Sequence, residues 1–195
     1  MLGLIGKPEV DTNKLMVPKE KFGIKSISIG YLVDEGNAVV WRSSMALKAM
    51  FQLLKGVSWG ELDYMIIDTP PGTGDIQLSL VKNFPIKGVV LVSTPQEMAL
   101  IDVKKAANMF KKTNTPIIGI IENMSYFEDP ISGNKSYIFG KDGVKNYAKE
   151  ASINFLGEIP IKEDIRKAAD SGLEVQDNSF MQKILKAFED KVEKI

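Results

Sequence analysis

Leu62-Asp-Tyr-Met-Ile-Ile-Asp-Thr-Pro-Pro-Gly-Thr-Gly-Asp75 is the stretch from which the fold is read. A short apolar run, Tyr64 to Ile67, ends in Asp68, and a Pro-Pro-Gly-Thr-Gly turn follows at once. Apolar, β-prone residues bounded by turn signals predict a buried strand, parallel and covered on both faces. Asp68 then falls at the carboxyl edge of the sheet, where open α/β sheets bind their ligands. There it is placed to hold a hydrated Mg²⁺, and Gly72 and Gly74 let backbone N–H groups approach a phosphate. An ordinary strand end with a Pro/Gly turn has the same spacing, so the stretch by itself leaves both readings open.

Working outward, elements alternate. Downstream, Ile76–Val81 starts a short helix that Pro85 ends. Lys87–Val92 is a second buried strand running into Ser93-Thr94-Pro95, and a helix is expected over 97–112. Pro116–Ile121 is a third apolar run, ending in Glu122-Asn123. A polar, turn-rich loop over 125–140, a helix over 141–150, a short strand Asn154–Gly157 leading into Glu158-Ile-Pro160, and helices over 162–171 and 178–194 complete the chain. Upstream, residues 1–23 read as an irregular lead-in and Ile24–Ile29 as a strand. Asp34–Asn37 is a turn before Ala38–Arg42, and Ser43 or Ser44 caps a helix over 45–55. Strands alternating with helices predict one domain, a doubly wound, mostly parallel α/β sheet.

Composition narrows the function. The 195 residues carry 25 Lys+Arg and 25 Asp+Glu, so no net field favours nucleic acid or an anionic membrane. The absence of Cys excludes disulfides and thiolate ligation of zinc or an iron–sulfur cluster within this chain. The absence of His removes imidazole acid–base chemistry. No apolar run approaches the roughly 20 residues of a membrane span, and the first residues lack a signal-peptide pattern, so a cytoplasmic protein is expected. The carboxy-terminal apolar positions, Phe180 to Ile195, fall at helical spacing with mixed charges between them, which predicts a helix packed on the sheet rather than a membrane anchor.

If the strands are parallel neighbours, Asp68, Ser93-Thr94-Pro95 and Asn123 share one rim, as a nucleotide pocket requires. The Asn123 amide both donates and accepts, which suits a base, and the backbone at Ile159-Pro160 would wall it. Turn chemistry accounts for each residue singly.

Four motifs occur together in order: Trp41-Arg-Ser-Ser-Met45, Trp59-Gly-Glu-Leu-Asp-Tyr through Pro-Pro-Gly-Thr-Gly-Asp75, Ser93-Thr-Pro-Gln-Glu97 and Glu122-Asn-Met-Ser-Tyr-Phe127. Over almost its whole length the chain resembles the Mrp/ApbC group of iron–sulfur cluster carrier ATPases, relatives of MinD and ParA among P-loop NTPases. The resemblance implies ATP and Mg²⁺ as cofactors and Asp68 as the Walker B carboxylate. It also implies Pro71, Gly72 and Gly74 in the γ-phosphate switch, and Asn123, near Pro160, at the adenine. It further implies a homodimer or heterodimer, and apoproteins that receive clusters.

Two departures temper this. No Gly-rich loop ending in Lys-Ser/Thr matches the family's P-loop, which lies upstream of the part Met1–Leu4 resembles. The expected fold is therefore of the P-loop NTPase type truncated at its N-terminus, without its first strand, P-loop and first helix. Phosphoryl transfer depends on that cradle, so ATP hydrolysis is not expected. Asp129 and Ser132 stand where the family places a Cys-x-x-Cys pair, and hard oxygen donors suit a cluster poorly. A non-catalytic remnant keeping a dimerisation or partner-binding surface, and a ParA/MinD-like positioning ATPase, are the alternatives.

Overall fold

A computed structural model describes residues 1–33, 43–176 and 178–195. The chain divides into two compact units, Met1–Ser79 with Ala169–Leu173, and Leu80–Ala168 with Glu174–Ile195.

The first unit is built around a hairpin, β1 (Lys19–Lys21) and β2 (Ile24–Ser26), paired antiparallel. Its two-residue turn, Phe22-Gly23, has φ of 55° and 73°, the all-positive geometry that matches strand twist. The lead-in is therefore more ordered than expected. Asp11 Oδ1 accepts from the N–H groups of Asn13 and Leu15, both at 2.9 Å, closing a loop that returns Met16 to an isolated parallel bridge with Val57. Met16, Met50 and Val57 are buried, Met50 lying on helix α1 (Ser43–Lys55). The Lys21 ammonium ties the ends of the unit together through the carbonyls of Leu2 (2.9 Å) and Gly172 (2.7 Å). The strand expected through Ile29 stops at Ser26. A 3-10 turn over Ile29–Tyr31 replaces its end, with Ser28 Oγ accepting from Gly30 N–H at 3.2 Å. The turn at Asp34–Asn37 and the run Ala38–Arg42, including Trp41-Arg42, lie outside the described residues.

The stretch 62–68 departs furthest from the strand its composition predicts. Residues 62–68 form no strand, and Tyr64 and Ile66 are 59% and 89% exposed. An apolar run becomes a strand only when a neighbouring ladder satisfies its N–H and C=O groups and a packed face covers its side chains. The only strand pairing in this unit among the described residues is the small β1–β2 hairpin. Helix α2 (Asp75–Asn83) begins straight after the glycines, as expected.

The second unit carries the mostly parallel sheet. β3 (Val89–Ser93) pairs in parallel with β4 (Ile117–Glu128), and β4 with β6 (Phe155–Ile161). β5 (Lys135–Ser136) adds antiparallel to the far end of β4. β4 runs well past the expected end at Ile121, because Met124 takes φ 53° at a register break with β6 and the strand resumes beyond it. Helices α3 (Glu97–Lys112) and α4 (Gly143–Glu150) cover the sheet through Leu100, Ala107, Phe110, Val144 and Ala148, packed with Leu91 and Ile120. α5 (Glu163–Ser171) follows β6, and α6 (Ser179–Val192) lies on it. A Cβ on Gly157 would sit 2.6 Å from Ile184 Cγ1, so the absence of a side chain there lets α6 approach. Among the described residues no helix is long and apolar enough to cross a membrane.

Candidate functional site

Two groups of the expected residues fall in the two units. In the first unit the turn after Asp68 is an open loop. Asp68, Pro71, Gly72 and Gly74 are all exposed. Gly72 has φ 102°, a conformation closed to side chains, and nothing lies within 4 Å of where its Cβ would be. The loop is held from one side by Gln77, a buried α2 residue whose Nε2 donates to Pro70 O at 2.6 Å. Sequence reading overlooked Gln77. Its only signal was position in the first turn of the helix after the glycines.

In the second unit the end of β3 lies level with interior residues of β4 and β6 rather than with their ends. Ser93, the last residue of β3, pairs with Glu122, Glu122 pairs with Glu158, and Asn123 pairs with Ile159 just before the buried Pro160. Thus Ser93-Thr94-Pro95, Asn123 and Pro160 are brought together, as parallel neighbours require. Asp68 belongs to the other unit and lies on no strand. Asn123 is not a terminus either. It precedes the Met124 bulge, and its Oδ1 accepts from Met124 N–H at 3.0 Å. The second lone pair and both amide hydrogens still have the capacity to meet a ligand. Beyond the bulge, fully buried Ser125 donates from Oγ to Ile159 O at 3.1 Å, which spans the gap left in the β4–β6 ladder.

Glu122 is the charged group that sequence reading passed over. It is 3% exposed, and its Oε2 accepts from Val144 N–H at 2.8 Å. Burial pushes its carboxyl above the ordinary range, opposed by the Val144 and Lys145 N–H groups and helped by Glu158 and Asp142. A carboxylate just past an apolar run, the pattern weighed at Asp68, was the signal.

The Asp129–Ser132 loop joins β4 to β5. Asp129 Oδ1 accepts from Ile131 N–H (3.0 Å), Ser132 N–H (2.7 Å) and Ser132 Oγ (2.9 Å). These bonds, led by those from Ser132, hold the carboxyl below its usual value. The loop's own N–H groups and the Ser132 hydroxyl thus engage Asp129 Oδ1. Among the described residues no group of three or more His, Cys, Asp or Glu is arranged to hold a metal ion. Beside the loop, Tyr126 and Tyr137 pack at 6.3 Å, with the Lys135 ammonium 3.7 Å from the Tyr126 ring.

A family model described as ParA: NUBPL iron-transfer P-loop NTPase matches residues 1–195. The iron–sulfur cluster transfer protein NUBPL of Mus musculus is 46% identical over 172 residues, 88% of this chain and 54% of that protein. The mitochondrial iron–sulfur protein required for NADH dehydrogenase of Arabidopsis thaliana is 40% identical over 190 residues, 97% of this chain and 61% of that protein. The chain thus spans between 54% and 61% of the length of these curated relatives. A solved nucleotide-binding protein of Archaeoglobus fulgidus, in complex with ADP, superposes with a TM-score of 0.70 at 38% identity, covering 85% of this chain and 64% of its own. The chain belongs to the NUBPL iron-transfer P-loop NTPase family, whose relatives are iron–sulfur cluster carriers.

Proposed function

We propose that this chain is the nucleotide-responsive part of an iron–sulfur cluster transfer protein, binding an adenine nucleotide without hydrolysing it. The observation that carries this is the register of the parallel sheet, which sets Asn123 beside Ile159-Pro160 and level with the end of β3. An ADP complex of the structural neighbour supports the same ligand class. In this reading Asn123 reads the adenine and Pro160 backs it. In the first unit, taken by itself, Pro71, Gly72 and Gly74 form a loop open to a phosphate, and Asp68 is a carboxylate open to a hydrated Mg²⁺. An exposed carboxylate suits a cation that keeps most of its waters and takes phosphate oxygens as its other ligands. When bound, Mg²⁺ would neutralise phosphate charge.

The same 195 residues contain no P-loop lysine or Mg²⁺-binding hydroxyl at a Gly-rich turn, so turnover is not proposed. The cluster is cargo, and this chain has no thiolate with which to hold it at Asp129 and Ser132. Its part in transfer is then to engage a second subunit or the apoprotein receiver in a nucleotide-dependent way. The cytoplasm is the proposed location, with the mitochondrial relative marking the alternative that cell fractionation separates. A remnant with only a partner-binding surface is favoured over this reading by one observation, the exposure of residues 62–68.

Titrating the purified chain with Mg²⁺ and a fluorescent ATP analogue decides between them. Saturable binding is expected, with Asp68→Ala removing its Mg²⁺ dependence and Asn123→Ala weakening it about tenfold, the size of one or two lost hydrogen bonds. A cooperative melt with no binding would leave the partner-binding remnant. Phosphate release abolished by Asp68→Ala would overturn the claim of no hydrolysis.

A further inference from the structure

Asn123 lies at the least regular point of β4, immediately before a residue at φ 53° and a break in the ladder to β6. A side chain that reads a base needs a fixed backbone, since small errors in placement lose directional hydrogen bonds. Two anchors bracket it. On one side Ser125 Oγ bonds Ile159 O. On the other, Glu122 reaches from β4 to the first turn of α4 and accepts from Val144 N–H.

The Glu122 bond does more than join a strand to a helix. Gly143, next to Val144, lies so close to the buried Pro95 that a methyl group there would collide with the Pro95 carbonyl. The exit of β3 is thereby pressed against the start of α4, while Glu122 ties that same start to β4. An apolar residue of similar size would fill the space without desolvating a charge. What the carboxylate adds is a directional, charge-assisted bond.

We propose that Glu122 is the positioning residue of the base-recognition edge, fixing Asn123, the β3 exit and the start of α4 in one frame and thereby setting affinity for the adenine base. This rests on the nucleotide-binding reading above. The charged groups around Glu122 are Glu158 on β6 and Asp142 before α4, the latter 3.9 Å from the Lys145 ammonium. Among the described residues no cation pairs with Glu122, so its strength as an acceptor depends on its own ionisation.

The test uses the full chain, a fluorescent adenine nucleotide, and inorganic tripolyphosphate as a ligand without a base, from the ordinary carboxyl value near 4.5 upward through the whole range in which the chain melts cooperatively. Charge-assisted bonds are about twice as strong as neutral ones, so adenine-nucleotide affinity should fall roughly fivefold as Glu122 protonates. Tripolyphosphate binding, which reports only the phosphates' own titration, should show no such additional fall. Glu122→Gln keeps an acceptor for Val144 N–H but not the charge. It should flatten the profile at the wild-type low-pH level and leave tripolyphosphate binding unchanged, an outcome that loss of stability alone would not produce. Identical profiles for wild type and a cooperatively melting Glu122→Gln would overturn the proposal, as would a wild-type profile that merely tracks tripolyphosphate. Absence of adenine-nucleotide binding by the wild type would instead sink the nucleotide reading itself, and this proposal with it.

Discussion

Tyr64–Ile67 and Val89–Val92 are both short apolar runs with strand composition, and they meet different fates. The second becomes β3, hydrogen-bonded along β4 and sharing a core with α3 and α4, with Leu91 buried. The first stays irregular and exposed. Composition is the same kind in both, so the difference lies in what surrounds each run. β3 finds a parallel ladder and a helix to cover it, and residues 62–68 find no strand partner among the described residues of their own unit. Strand propensity is fitness for a pleated, half-buried surface, and it has no effect where that surface is lacking.

The comparison breaks if the two regions prove equally important to stability. Ile120→Ala, at a side chain with 0% exposure in the middle of β4, should cost about 3–4 kcal/mol through lost burial and an unfilled cavity. Ile66→Ala, at a side chain exposed to water, should stay within about 0.5 kcal/mol. Urea denaturation of the two variants supplies both numbers. A cost of several kcal/mol for Ile66→Ala would mean that residues 62–68 are packed in solution and behave as the strand their sequence suggests.

Glycines sharpen the same contrast at a smaller scale. Gly119 is enclosed, and a Cβ on it would lie 2.5 Å from Leu156 Cγ and 2.7 Å from Asn154 O. Gly119→Ala should therefore cost about 1–3 kcal/mol by overpacking between β4 and the start of β6. Gly72 has open space around it, and alanine there meets only the strain of a positive φ, about 1 kcal/mol. Since that strain lies in the proposed phosphate-facing loop, Gly72→Ala should also weaken nucleotide binding, whereas Gly119→Ala should not do so while the protein stays folded. Paired denaturation and binding curves would separate the two.

How much of this was legible follows from which forces are local. The helices over 97–112 and 141–150 and the strands at Val89 and Ile117 are set by periodicity and turn residues, and they stand within a few residues of expectation. The juxtaposition of Ser93, Asn123 and Pro160 followed once parallel pairing was assumed, although only Ser93 ends its strand. The fate of 62–68 was not legible, since a strand's partners lie elsewhere in the chain. Nor was the continuation of β4 through Met124, where a left-handed residue without glycine leaves no mark in the sequence. Glu122 had a mark, but its burial depends on α4, brought to it from 22 residues away.

Burying a carboxylate in β4 has a thermal signature. A carboxyl held above its ordinary value near 4.5 binds its proton more readily when folded, so its stabilising contribution is present below that value. The contribution is lost as pH rises through the raised folded value. At neutral pH the charge is therefore a burden, and Glu122→Gln should raise Tm there, with the gain shrinking as pH falls toward the ordinary carboxyl value. A thermal melt at pH 7 and at pH 4 tests this. The same substitution is expected to lower adenine-nucleotide affinity, so stability and binding would move in opposite directions at one residue.

The smallest expected effect comes from Asp129, whose situation is the reverse. It is held below its ordinary value near 3.8 first by the Ser132 N–H and hydroxyl and then by Ile131 N–H. What it contributes is present above the unfolded value and is lost as pH falls through the lowered folded one. Because the loop faces solvent, the consequence should be local. Global Tm of Asp129→Ala should match wild type closely at neutral pH, while the Ser132 and Ile131 amide resonances lose their shifts. In the wild type those resonances should titrate together only below the ordinary carboxylate range. The pair at Asp129 and Ser132 then acts as a turn, with its acceptor oxygen engaged by the backbone. Titration of the two amides in the ordinary range, or their displacement by added Fe²⁺ near neutral pH, would show that the carboxylate is free to take a metal, and the turn assignment would fail.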